Sequence, residues 1–187
     1  MTGVTLAVRR PTLADVDRLA VINVETWRDA YAGLVPAAHL DGLSQDAFRE
    51  RWRRNVIEGR PHVSVLVAEV ADTLAGYAIA GPYRPQEDAD PAEQTQTWGE
   101  IYALYTHPSL QGRGAGTALH GAALDLLRND GFDEAALWVL TSNVSSHRWY
   151  AARGWHADGA RTNWGSEGVA LPEIRLRVAL PYHLPGK

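Results

Sequence analysis

The chain has 187 residues and a formal net charge of −4, and its 45% of hydrophobic and 21% of charged residues are typical of one globular domain. No basic block argues for a nucleic-acid or membrane-surface partner, and the absence of cysteine excludes disulfides, thiolate metal sites and a cysteine nucleophile. Since no apolar run approaches the roughly 20 residues of a membrane span and the first residues lack a signal-peptide core, we expect a soluble cytoplasmic protein.

The first half of the chain predicts a strand, two helices and a hairpin. Val4–Arg10 alternates apolar and polar residues, which is typical of a strand. The helical pattern that follows begins with Thr12 and Asp15, which have capping-box spacing, and continues to about Ala30. A second helix is predicted after the cap residue Ser44. The β-rich segments "HVSVLVAEV" and "DTLAGYAIAGPY" then predict a hairpin.

The second half alternates strands and helices. The polar, acidic segment Arg84–Gln96 is predicted to be an exposed loop. "WGEIYALYTHP" predicts a strand that is too apolar for an edge, and a glycine turn and a helix closed by Gly131 follow. "EAALWVL", "SNVSSHRWYAARG" and "GVALPEIRLRVAL" predict a strand, a short helix and a last strand. The order β-α-α-β-β-β-α-β-α-β therefore predicts one α/β (α+β) domain with a mixed sheet.

The glycine turn "LQGRGAG", Leu110–Gly116, has the features of an anion site. Glycines let backbone N–H groups at a helix N-terminus close around a phosphate, and the Arg113 side chain adds a positive charge. A Walker A loop is excluded because no lysine follows these glycines. A G-x-G-x-x-G dinucleotide motif is excluded because Thr117 or Leu119 stands where its third glycine would be.

The pattern that remains is Q/R-x-x-G-x-G/A, with Gln111, Gly114 and Gly116 in the key places. "LYTHPSLQGRGAGTAL" and the later "NVSSHRWYAARGW" occur in the order and spacing of the GCN5-related N-acetyltransferases (GNAT family), and the sequence resembles that family. Thr106 stands where valine is usual, and Trp155 where phenylalanine is usual.

The resemblance implies a single GNAT domain over residues 4–180, with a mostly antiparallel central sheet flanked by helices. It implies transfer of the acetyl group of acetyl-CoA to a primary amine of a small molecule or a protein, by direct attack in a ternary complex. A homodimer is compatible with it. No histidine pair has zinc-binding spacing, so we expect no metal. By resemblance, the cofactor-binding residues are Leu104, Tyr105 and Thr106 on the strand, Gln111, Gly112, Arg113, Gly114, Ala115, Gly116 and Thr117 in the turn, and Asn143 before the last helix.

Two side chains match catalytic positions of the family. Glu100 lies eleven residues before Gln111, the spacing of the general base in histone-acetylating members, although a solvated glutamate at a strand end has the same pattern. Tyr150 matches the tyrosine that protonates the departing thiolate, although it could also pack beside Trp149. Asn143 matches a side chain that bonds the pantetheine amides, a role that helix capping would not exclude.

The acceptor is expected near the first helix. In "ETWRDAYAGLVP", Trp27 and Tyr31 are four residues apart and share a helix face, where they either bind the acceptor or pack in the core. A non-catalytic acyl-CoA sensor or scaffold is the alternative to an enzyme, and the presence of both Glu100 and Tyr150 favours the enzyme.

Overall fold

The computed structural model describes residues 5–86, 93, 97–166 and 169–181. Most of the segment predicted to be an exposed loop, residues 87–92 and 94–96, lies outside the described residues. The helices and strands are β1 (Leu6–Arg9), α1 (Val16–Ala30), α2 (Ala37–Asp41), α3 (Gln45–Ile57), β2 (Ser64–Val70), β3 (Thr73–Pro82), β4 (Trp98–Thr106), α4 (Ala115–Asn129), β5 (Glu134–Leu140), α5 (Val144–Ala151), β6 (His156–Ser166) and β7 (Val169–Ala179).

Seven strands form one sheet in the order β1-β2-β3-β4-β5-β7-β6. The pairs β1–β2, β2–β3, β5–β7 and β6–β7 are antiparallel. The parallel ladder between β4 and β5 covers three residue pairs, from Trp98↔Glu134 to Glu100↔Ala136. The predicted fold class, a mixed and mostly antiparallel sheet flanked by helices, is confirmed.

Residues 1–80 with 103–123 form one compact unit, and residues 81–102 with 124–187 form a second. The core of the first unit joins α1 and α3 to the sheet through Leu19, Ile22, Trp52 and Tyr77, all at most 2% exposed. Burial of such side chains is worth roughly 1.5–3 kcal/mol each and so holds α1, which carries Trp27 and ends just before Tyr31, against the sheet. The second unit has a smaller apolar cluster of Tyr83, Trp98 and Ala136.

Several local predictions are confirmed. Ser44 caps α3 by accepting a hydrogen bond from the Ala47 amide, and Asp15 accepts hydrogen bonds from the backbone N–H and hydroxyl of Thr12. The hairpin turn between β2 and β3 has Ala71 and Asp72 at positive φ. Each of these features depends on a few neighbouring residues, which is why the sequence could predict them.

Two elements are missing from the predicted order. β6 pairs with β7, but its sequence "HADGARTNWGS" has no regular apolar alternation, and a bulge between Ala157 and Arg161 interrupts it. Gly159 adopts φ +94° within this bulge. The other missing element, α2, is a five-residue helix after Pro36 that is too short to show a helical period.

The ion pair between Arg9 and Asp15 predicts a pH-dependent loss of stability. Two 2.8 Å hydrogen bonds from Arg9 and one of 2.6 Å from the Thr12 amide lower the pKa of Asp15 from 3.8 to about 2. We expect Asp15→Asn to lower the free energy of unfolding by about 2 kcal/mol at pH 7. A lowered pKa stabilises the fold only while the carboxylate is charged. The difference should therefore be complete above about pH 4 and disappear as the pH falls towards 2.

Urea unfolding of wild type and variant at pH 7 and pH 3 measures this difference. Asp125→Asn is the matched control, because Asp125 is 67% exposed and its ion pair with Arg128 is a solvated pair within one helix. Equal stability of Asp15→Asn and wild type at pH 7 would contradict the stabilising role of the ion pair.

Candidate active site

The glycine turn of the first unit lies at the N-terminus of α4, as predicted. Gly112 and Gly114 adopt φ +73° and +91°, a backbone conformation that favours glycine. The first bond of the α4 ladder runs from the Ala118 amide to the Gly114 carbonyl at 2.9 Å, so the amides of Ala115 and Gly116 precede that ladder. These N–H groups and the helix dipole favour an anion at the turn.

The side chains of the turn leave this end of the helix open. Residues 111–114 are exposed, and Arg113 forms no ion pair with any of the described residues. The Gln111 side chain instead bonds the Thr106 carbonyl at 3.4 Å and so ties the turn to the end of β4. The cation of Arg113 is therefore available for an anionic ligand.

The end of β4 is fixed by two contacts within the first unit. A Cβ at Gly76 would lie 2.3 Å from the Tyr105 carbonyl oxygen, so only glycine allows β3 this close to β4. His107 follows β4, bonds Glu25 of α1 at 2.6 Å through Nε2, and contacts Ser109 through Nδ1. These contacts hold the backbone of Leu104–Thr106 and the start of the glycine turn against α1.

Trp27 and Tyr31 form an aromatic cluster with Tyr105, which the sequence predicted only as a cofactor-binding residue of the strand. The rings of Trp27 and Tyr31 are 4.9 Å apart, and the ring of Tyr105 lies 6.4 Å from Trp27. The hydroxyls of Tyr31 and Tyr105 lie 3.2 Å apart. All three side chains are half-buried, so they are neither fully packed in the core nor fully solvated.

Glu100 in the second unit is buried, and the solvated position that its sequence pattern allowed is wrong. Its side chain is 2% exposed. One carboxylate oxygen accepts hydrogen bonds from the backbone and Nε of Arg84, at 2.9 and 3.2 Å, and the other accepts one from Nη2 at 2.6 Å. The Arg84 guanidinium also lies 3.7 Å from the centre of the Tyr102 ring. No sequence pattern indicated this partner, because Arg84 belongs to the polar segment after β3.

Asn143 and Tyr150 both belong to α5 or its cap. Asn143 is buried, and its Oδ1 caps the helix by accepting hydrogen bonds from the Ser146 amide and the Ser145 hydroxyl, at 3.1 and 3.0 Å. The cap engages Oδ1 and not the side-chain amide nitrogen. Tyr150 is half-buried, with its ring in edge contact with Trp149 and Trp155, at 5.0 and 5.6 Å between centroids.

Charged side chains line one face of the sheet in the second unit. Arg175 is 5% exposed, lies among three aromatic rings and bonds Glu93 and Asp158 at 2.7 Å each. Arg177 is paired with Glu134. Glu173 is half-buried on the same strand, and burial together with the charge of Glu100 raises its pKa to about 7. The alternation of charged residues at 173, 175 and 177 was the available signal for this face.

Among the described residues, no group of His, Asp and Glu has the arrangement of a metal site. No helix in the described ranges is long and apolar enough to span a membrane.

Comparison with known proteins defines the class of the molecule. The model of the Acetyltransferase (GNAT) family matches residues 24–155, from α1 through α5 to the start of β6. The protein is therefore an acyltransferase. The chain belongs to the GNAT family of acetyltransferases.

Individual relatives agree with this assignment. The uncharacterised N-acetyltransferase YuaI of Bacillus subtilis is 30% identical over 172 residues, which cover 91% of each chain. The ribosomal-protein-alanine N-acetyltransferase of Brucella melitensis has the same fold at a TM-score of 0.69 and 22% identity, covering 93% of this chain and 99% of that one. The protein yncA of Salmonella typhimurium, solved with its cofactor acetyl-CoA, has a TM-score of 0.64 at 21% identity and covers 98% of both chains.

Proposed function

We propose that this protein transfers the acetyl group of acetyl-CoA to a primary amine by direct attack in a ternary complex. The observation that carries the proposal is the exposed glycine turn at the N-terminus of α4 in a chain of the GNAT family. The bound acetyl-CoA of the Salmonella relative supports the choice of cofactor. The whole of residues 4–180 is proposed to serve this one activity.

The cofactor residues predicted from the sequence are kept as proposals. Residues 111–117 bind the pyrophosphate through backbone N–H groups, and Arg113 adds a charge-assisted contact. The backbone of residues 104–106 pairs with the pantetheine arm and donates to the developing oxyanion. The three-residue ladder between β4 and β5 supports this role, because residues 104–106 lie beyond the part of β4 that pairs with β5. The Asn143 amide nitrogen, which the cap does not use, bonds a pantetheine carbonyl.

The acceptor is proposed to contact the aromatic cluster of Trp27, Tyr31 and Tyr105. A half-buried group of three rings offers apolar area and two hydroxyls, and it attracts a cationic ammonium before reaction. The acceptor is a small molecule or a protein N-terminus. The Brucella relative is named as a ribosomal-protein-alanine N-acetyltransferase. A peptide with an N-terminal alanine is therefore a rational member of a test panel.

The chemistry requires a neutral amine, a stabilised oxyanion and a protonated thiolate. Tyr150 is proposed to donate a proton to the departing sulfur, since a phenol of ordinary pKa about 10 can protonate a thiolate. Glu100 is the carboxylate that the sequence indicates as the general base for the amine. Its burial and its hydrogen bonds with Arg84 hold the Glu100 side chain in one position. Each role stays a prediction.

Release of free thiol from acetyl-CoA in the presence of amines tests the proposed function. The panel contains a polyamine, an amino sugar, a lysine ester and an alanine-ended peptide, and the acetylated product is identified by mass spectrometry. We expect at least one amine to be acetylated. Tight binding of acetyl-CoA with no turnover on any amine would instead favour the alternative, a non-catalytic acyl-CoA sensor or scaffold.

A further inference from the structure

Glu173 lies on the same sheet face as Glu100. Glu100 is the register partner of Ala136, and Glu173 is the register partner of Leu140. Ala136 and Leu140 are four residues apart on β5, so their side chains project to the same side of the sheet. The two carboxylates therefore belong to one face of the second unit.

The two carboxylates differ in their partners. Both oxygens of Glu100 are occupied by Arg84. Among the described residues, none forms a hydrogen bond or an ion pair with the Glu173 carboxylate. Glu173 is also half-buried where Glu100 is buried, so it is the carboxylate that can both reach a ligand and exchange a proton with water.

The groups that face Glu173 do not pair with its carboxylate. Its register partners Leu140 and Thr162 carry no titratable group. Arg175, two residues away on the same face, is neutralised by Glu93 and Asp158. Burial of Glu173, and then the negative charge of Glu100, disfavour the charged carboxylate and so favour a proton on Glu173.

Glu173 also lies beside the segment that leads to the proposed cofactor contact Asn143. The Thr141 amide bonds the Pro172 carbonyl at 2.8 Å, and the Asn143 amide bonds the Leu140 carbonyl at 2.9 Å. Leu140 is thus both the register partner of Glu173 and the backbone partner of Asn143. A ligand atom bound by Asn143 would lie near the end of β5 that Glu173 flanks.

We propose that Glu173 is the general base that takes the proton from the acceptor's ammonium, and that Glu100, held by Arg84, is its carboxylate neighbour on the same sheet face. The inference rests on the proposed acetyl transfer. Glu173 takes one proton from the ammonium and releases it to water. The nitrogen lone pair then forms the C–N bond, the C–S bond breaks with its electron pair on sulfur, and Tyr150 protonates that sulfur. The nitrogen of the product then loses a second proton, which reprotonates the Tyr150 phenolate.

The test is the pH profile of kcat/KM with the most active amine of the panel. For wild type we expect an acidic limb with an apparent pKa near 7, the range to which burial and Glu100 raise the pKa of Glu173. For Glu173→Gln we expect a loss of about 100-fold at pH 7, in the range of general base catalysis, with recovery as the pH approaches the amine's own pKa. Glu100→Gln should retain the limb but move it to lower pH, because a negative neighbour is lost.

Glu134→Gln is the matched control, since Glu134 is on the neighbouring strand β5 and holds Arg177. It should keep the wild-type profile. A Glu173→Gln variant that keeps both the limb and the rate would overturn the role of Glu173 while leaving acetyl transfer intact. Loss of the limb in Glu100→Gln alone would assign the base to Glu100. Failure of wild type to acetylate any amine would instead overturn the proposed function, and this inference with it.

Discussion

Replacing Gly114 with leucine will weaken the binding of acetyl-CoA by at least about 100-fold. Gly114 adopts φ +91°, and a Cβ there would lie 3.4 Å from Leu6 Cδ2. A leucine must therefore move the backbone at the N–H groups of the α4 N-terminus, which are the groups proposed to bind the pyrophosphate. Loss of two charge-assisted hydrogen bonds costs about 3 kcal/mol or more, which corresponds to this change in Kd.

Gly131→Leu is the control variant, which separates a loss of acetyl-CoA binding from the effect of backbone strain on stability. Gly131 also adopts φ +91°, has no atom within 4 Å of its Cβ position and lies at the other end of α4. Both variants should lose similar stability from the left-handed conformation, about 1–2 kcal/mol. Calorimetry with acetyl-CoA should show wild-type affinity for Gly131→Leu only. Equal affinities of the two variants would remove the glycine turn from the proposed cofactor site.

Replacing Tyr150 with phenylalanine will lower kcat by about 10²–10⁴-fold and change the KM for acetyl-CoA little. The ring contacts with Trp149 and Trp155 do not involve the hydroxyl's acidity, so phenylalanine preserves the aromatic packing. In the proposed role, Tyr150 gives its proton to the sulfur only as the C–S bond breaks, and an interaction made in the transition state affects kcat more than KM.

Tyr31→Phe is the matched control for this prediction. It keeps the ring of Tyr31 in the aromatic cluster and removes only its hydroxyl, which lies 3.2 Å from that of Tyr105. We expect its effect to appear mainly in the KM of the amine. A turnover of Tyr150→Phe within about twofold of wild type would leave Tyr150 as a packing residue.

Features set by local sequence could be predicted. The turn at Gly114 and the cap at Ser44 depend on a few adjacent residues, and both are where the pattern indicated. The same holds for the glycines that end α3 and α5, Gly59 and Gly154, which adopt positive φ. These positions are encoded by residue type, because only a few residues tolerate the required backbone or supply the cap.

Features set by pairing across the sheet could not be predicted. The partner of Glu100 is sixteen residues away on a polar segment, and nothing in the sequence near Arg84 marks it as the ion-pair partner of a buried carboxylate. Glu173 looks like an ordinary charge on an alternating strand until the register places it on the face of Glu100. Burial also cannot be read from residue type, since Glu100, for which the sequence left a solvated position open, is 2% exposed.

The buried guanidinium of Arg175 constrains how this sequence can diverge. It lies among aromatic rings and bonds Glu93, Asp158 and the Tyr83 hydroxyl. Loss of Arg175 alone would leave the carboxylates of Glu93 and Asp158 poorly solvated and without this cationic partner. Loss of either acid would leave the charge of Arg175 incompletely neutralised. Natural variation at these positions should therefore be concerted: homologues with an apolar residue in place of Arg175 are expected to have lost the acids at 93 and 158 as well.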